Sequence, residues 1–128
     1  MIDRRAHLTA MLAMAAMVLP GRKVVALEAV MEEVIPEYGL IGQMIARPGE
    51  RTALAAILAE GTDEMPGNMG YLIGEDSANA DAIWIVELWD TQASHAASLQ
   101  LPAVQAAIKK ARPLIAGLGT RAEFRPMR

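Results

Sequence analysis

Cysteine is absent from the 128 residues, which removes disulfides, thiolate catalysis and every zinc site built on sulfur. Histidine occurs only at positions 7 and 95, too sparsely for a multi-histidine metal centre, so no metal is expected. Aromatics are equally scarce. Two Trp, two Tyr and one Phe must supply any ring-lined pocket. Basic charge falls short as well, with 12 Lys and Arg against 15 Asp and Glu, a net charge of −3. Four of those basic groups crowd into residues 1–26, which leaves the rest of the chain still more acidic. A surface of that sign repels phosphate backbones, so nucleic acid is not an expected partner. The apolar run from Leu8 to Leu19 is too short for a stable membrane span.

What the chain does have is 53% hydrophobic residues, ample for one core at this length and too little chain for a second domain. Residues 1–26 place Arg4 and Arg5 ahead of the apolar run and end in Val24-Val25-Ala26. This order resembles a twin-arginine export signal, which implies a periplasmic or exported protein; the alternative is an amphipathic N-terminal helix in a cytoplasmic one. Residues 27–37 read as a linker or short helix ended by Pro36, and residues 38–128 as the folded domain.

Within that domain Tyr38 to Arg47 has strand composition, and its glycines at 39 and 42 suggest close approach by another backbone or a ligand. Pro48-Gly49-Glu50 starts a helix through about Glu60, with Leu54, Ile57 and Leu58 as its apolar stripe. Asn68 to Glu75 and Ala82 to Trp89 are strands on either side of the polar loop Asp76 to Asp81. Asp90 or Thr91 caps a helix carrying His95, so a tryptophan-bearing strand runs straight into a histidine-bearing helix. Leu101-Pro102 opens another helix, with Val104, Ile108, Ala111 and Ile115 at helical spacing, closed by Pro113 and Gly117. Thr120 to Met127 supplies a last strand.

The order β-α-β-β-α-α-β predicts an α+β, ferredoxin-like antiparallel sheet with helices on one face. The other face needs cover, because Met44, Ile45, Leu72, Ile83 and Ile85 together are too apolar to stay wet. A symmetric homodimer, its two sheets packed face to face into a dimeric α/β barrel, meets that need.

The segments YGLIGQMIARPGERTAL, EMPGNMGY, IWIVELWD, SHAASLQLPAVQAAI and RPLIAGLG, in this order and spacing, resemble the antibiotic biosynthesis monooxygenase family. Its members include small quinol monooxygenases and anthrone oxygenases. The resemblance implies a dimeric barrel with a cavity in each subunit between sheet and helices. It also implies an oxygenase that works on a small aromatic substrate and O2 without metal, flavin or haem.

Such chemistry needs a base for a phenolic proton, a hydrogen bond to the resulting oxyanion, and dry walls that orient the ring. His95 is the candidate base, since a neutral imidazole accepts a proton near neutral pH; otherwise it is a capping histidine beside Asp90. Asn68, after Gly67, is the candidate hydrogen-bond donor, or a turn asparagine. Trp84 and Trp89 fall on opposite faces of their strand, so at most one lines a given cavity; Trp89, sharing a face with Glu87, is the better candidate. Tyr71 is a candidate ring wall and phenolic donor. Glu87 either meets the cavity or pairs with Arg112 or Arg121, and Arg112 either attracts an anionic substrate or caps a helix end. Two other classes compete: a haem-binding or haem-degrading barrel with His95 as axial ligand, and a non-catalytic binder of small aromatics. The haem class calls for an asparagine on the first strand, where this chain offers only Gln43.

Overall fold

The computed structural model describes residues 34–127. The export-signal reading of residues 1–26, and most of the linker, lie outside them.

Strand β1 (Tyr38–Ala46) ends in a turn at Gly49 and leads into helix α1 (Arg51–Gly61). Strands β2 (Asn68–Glu75) and β3 (Ala82–Trp89) follow as a hairpin, then helices α2 (Gln92–Ser98) and α3 (Pro102–Ala111), one 3-10 turn (Arg112–Leu114) and strand β4 (Ile115–Phe124). The sheet order is β2-β3-β1-β4 with every neighbouring pair antiparallel. This is the expected ferredoxin-like α+β fold.

The last strand differs from the sequence reading at both ends, closing at Phe124 rather than Met127. The last helix stops at Ala111 and the last strand begins at Ile115, not Thr120. Pro113 sits within the 3-10 turn, where it has no N–H to extend the α-helical ladder, and Ile115 is already extended. Ile115 therefore pairs with Ala46 across the sheet instead of continuing the helix stripe.

The register sorts side chains onto two faces. Leu40, Met44, Ile83, Ile85, Glu87 and Trp89 share one, and on it lie both clusters of buried residues. The first joins Ala46, Ile83 and Ile85 to Leu54 and Leu58 of α1 and Ala111 of α3; the second joins Tyr38, Leu40 and Trp89 to Met65 and Val104. Tyr71 packs against both. Leu54, Ile83 and Trp89 are wholly buried, and each aliphatic side chain so enclosed contributes roughly 1.5–3 kcal/mol relative to exposure.

The opposite face carries Ile41, Ile45, Leu72, Trp84, Val86, Leu88 and Phe124. Here too the sequence reading needs correction. Met44, Ile83 and Ile85 are on the helix side, and only Ile45 and Leu72 of the five expected residues belong to the open face. Leu72 is 63% exposed and Phe124 41%. The Phe124 ring lies over Gly39, where any β-carbon would collide with it, which accounts for the first glycine of β1.

Candidate functional site

The period of two along β3 places Glu87 and Trp89 on the helix-facing side, at the end of the sheet where Tyr38 of β1 pairs with Trp89. Helix α2 begins three residues on. The Thr91 hydroxyl accepts from the Ser94 amide at 3.1 Å and caps it, which fixes the first turn that carries His95. The His95 ring then meets two aromatic faces, Trp89 edge-on at a centroid distance of 5.5 Å and Tyr38 tilted at 5.4 Å.

The turn before β2 holds this corner in register. Gly67 has φ of +85°, a conformation that side-chain-bearing residues rarely adopt, and its carbonyl accepts from the Asp90 amide at 2.9 Å. Asn68, one residue on, spends both side-chain N–H groups on backbone carbonyls, Gly70 at 3.2 Å and Leu88 at 3.3 Å. These two bonds bridge the bulge that displaces Met69 from the β2–β3 ladder. As placed, Asn68 offers a substrate its carbonyl oxygen and no donor.

The Trp89 indole N–H donates to Glu87 Oε1 at 3.3 Å. Burial pushes the Glu87 carboxyl above the ordinary glutamate range, while His95, the Trp89 N–H and Arg121 each pull it back by favouring the charged form. Across the β2–β3 ladder from Glu87 stands Tyr71. Burial first, then the charge of Glu87, raises the Tyr71 phenol to about 12 against a hydrogen bond with Thr62. Tyr71 thus remains a hydroxyl donor throughout the neutral range.

Glu87 also borders a cavity of about 200 Å³ over the middle of the sheet. Leu40, Met44, Ile85 and Leu118 make its apolar walls, Arg121 reaches it from β4, and Gly42 forms part of its floor. Nothing lies within 4 Å of where a Gly42 β-carbon would stand, so the second glycine of β1 contributes empty space rather than a close contact. On the other side of the cluster Asn68, Tyr71, Thr62 and Asp63 border a more open hollow.

Two predicted site residues are not brought here. Trp84 projects from the opposite face, where its indole N–H donates to Asp76 Oδ2 at 2.8 Å beside the Gln43 amide at 2.9 Å. Gln43 is therefore committed on the side away from His95, and the β1 side chain that meets the imidazole is Tyr38 rather than the amide the haem reading calls for. Arg112 is exposed in the 3-10 turn, near the end of β1 remote from Tyr38 and His95. Its place beside Glu87 is taken by Arg121, which bonds Glu123 at 3.0 Å and lies near the Tyr38 hydroxyl. The sequence offered both arginines as partners of Glu87; only the β1–β4 register, which sets Arg121 opposite Gly42, separates them. Among the described residues no cluster of three His, Asp or Glu is placed to hold a metal ion, and no helix is long and apolar enough to cross a membrane.

Residues 38–110 match the family model described as antibiotic biosynthesis monooxygenase. A solved structure from Chloroflexus aurantiacus that bears the same family's name is 54% identical, covering 71% of this chain and 93% of its own, with a TM-score of 0.69. One from Deinococcus radiodurans, named likewise, is 24% identical over 71% of this chain and 93% of its own, TM-score 0.60. A Pseudomonas aeruginosa protein at 16% identity, covering 75% of this chain and 99% of its own with a TM-score of 0.61, shares the fold. No curated protein matches the chain. Sheet order, the matched span and the level of identity to the Chloroflexus protein agree: the chain belongs to the antibiotic biosynthesis monooxygenase family.

Proposed function

We propose that the protein is a monooxygenase that needs no cofactor and oxidises a quinol-like or anthrone-type phenolic substrate with O2, working as a homodimer. The observation that carries this reading is the Glu87–Trp89–His95 cluster, a proton-accepting pair braced by an indole and bordering an apolar cavity through Glu87.

Ground-state dioxygen is a triplet and reacts slowly with closed-shell molecules. A phenolic ring overcomes this once deprotonated, because the phenolate donates one electron to O2. The radical pair couples at a ring carbon that carries hydrogen, giving a hydroperoxide. Loss of water leaves a carbonyl there, so one oxygen atom enters the product and the other leaves as water. The protein's part is to take the phenolic proton, hold the anion and keep water out. His95 is the proton's destination, standing near the Glu87 carboxyl that borders the cavity. Leu40, Met44, Ile85 and Leu118 supply the dry walls of the cavity, while the buried Trp89 and Tyr38 rings hold His95 in place and Tyr71 borders the neighbouring hollow. Asn68 supports the site through the backbone bulge it pins.

The homodimer follows from the open sheet face. Ile41, Ile45, Leu72, Val86 and Phe124 form an apolar surface on the face away from the described helices, and a second copy of the same face is self-complementary.

The test is turnover of metal-chelated protein under isotopically heavy dioxygen. Heavy label in one carbonyl of the product and in water is the expected result. Label in hydrogen peroxide alone, with a product carrying no new oxygen, would reduce the protein to an oxidase or to a binder of autoxidising compounds.

A further inference from the structure

The cavity bordered by Glu87 has one wall residue that oxygen chemistry can change. Leu40, Ile85 and Leu118 are aliphatic and inert to peroxides, but Met44 carries a thioether, which oxidants convert to a sulfoxide. The sheet fixes its place. Met44 stands opposite Ile83 of β3 and Leu118 of β4 and packs, half-buried, on the core cluster that holds Ala46, Leu54 and Ile85. Met69 and Met127 are the methionines that solvent reaches, at 39% and 92% exposure, while Met65 is buried in the other cluster. Exposure and position in the cavity therefore rank Met44 against Met69 and Met127 in opposite orders.

We infer that Met44 is oxidised by a hydroperoxide held in this cavity, during turnover the substrate's own, and that its sulfoxide weakens the site. The inference rests on the functional reading above, which supplies the hydroperoxide. In the transfer the O–O bond breaks and an S–O bond forms. The sulfur gives up two electrons and takes the outer oxygen. The inner oxygen stays on the ring and keeps the proton, as a hydroxyl in place of the usual carbonyl. Thioether and hydroperoxide thus become sulfoxide and alcohol with no further reductant. The new S–O dipole stands among Leu40, Ile85 and Leu118, where it disfavours an apolar ring. Methionine sulfoxide reductases reverse the change.

Mass mapping of the full chain decides this, after turnover of a naphthohydroquinone under heavy dioxygen with catalase removing free hydrogen peroxide. Met44 is expected to gain one heavy oxygen in step with lost activity, ahead of Met69 and Met127. Hydrogen peroxide given without substrate should instead follow exposure and reach Met127 and Met69 first. Met44→Leu, close in volume, should complete at least about threefold more turnovers before its activity halves, whatever its starting rate. Sulfoxide at Met127 and Met69 with Met44 intact after turnover, or Met44 oxidised only when catalase is left out, would overturn the inference. So would hydrogen peroxide alone attacking Met44 first, or a Leu variant that fails as early as the wild type. The two readings fail separately. No oxygen uptake above the autoxidation blank ends the oxygenase reading, and cumene hydroperoxide, an aromatic peroxide given to the resting protein, then decides the site: Met44 oxidised before Met127 keeps it, and the reverse order ends it.

Discussion

Trp89 and Glu87, two residues apart on the same face of β3, are joined side chain to side chain, indole N–H to carboxylate, at 3.3 Å. The bond ties the largest wholly buried side chain among the described residues to a half-buried acid. Trp89→Ala is expected to cost ~3–5 kcal/mol through the cavity it leaves. Trp89→Phe keeps most of the packing but removes the donor. Since that donor favours the charged carboxylate, Glu87 should titrate at still higher pH in the Phe variant, followed by the carboxyl infrared band. An unmoved band would mean that the bond does not act on Glu87.

Asp76 gives a pH-dependent signature at the other end of the hairpin. Its Oδ1 accepts the amides of Ala78 and Asn79, and its Oδ2 accepts Trp84 and Gln43. The backbone amides first, then the Trp84 indole, hold this carboxyl below the ordinary aspartate range, and the Gln43 amide acts in the same direction. A depressed acid contributes stability that is present above its unfolded-state value and lost as pH falls through its folded-state value. Asp76→Asn should therefore lower the melting temperature at neutral pH, with the difference from wild type shrinking as the medium is acidified below the aspartate range. Thermal scans across that range check it, and a gap independent of pH would contradict it.

Helix α2 has seven residues, too few to hold its shape without its cap and the turn beneath it. Thr91→Ala should cost about 1 kcal/mol. Gly67→Val should cost more, roughly 1–3 kcal/mol, because φ of +85° is strained for valine and its side chain would run into Ser94 and Asp90. Both should raise amide hydrogen exchange in α2 around His95 more than in α3. Uniform exchange across the two helices would show that the cap does not govern the site.

On the open face, Leu72 at 63% exposure is the side chain through which the proposed dimer is most simply broken. Leu72→Arg should shift sedimentation from twice the chain mass to the chain mass while leaving the circular dichroism unchanged. A wild-type protein that sediments as a monomer would remove the homodimer.

Most of the fold was legible because the local signals were unambiguous. β2 and β3 lie where alternation placed them, between a Met-Pro-Gly turn and a polar loop. The shared face of Glu87 and Trp89 followed from period two alone. The start of β4 was not legible, since Ile115 fits helical spacing from Ala111 and only the pairing with Ala46 shows it to be strand. The open face was mixed with the core face for a related reason: Ile45 and Met44 are apolar sequence neighbours, and their opposite roles depend on register. Arg121 was harder still. Its nearness to Glu87 spans the intervening β1 between two strands far apart in sequence, and nothing local distinguishes it from Arg112.

The central claim, proton abstraction at a Glu87–His95 pair followed by direct reaction with O2, is tested most directly by oxygen uptake with His95→Ala beside the wild type. Metal-chelated protein and a naphthohydroquinone make the assay. Uptake above the autoxidation blank that falls about 100-fold in the variant is the predicted result, matching the loss of a general base. Equal uptake by the two proteins would remove His95 from the mechanism and contradict the account.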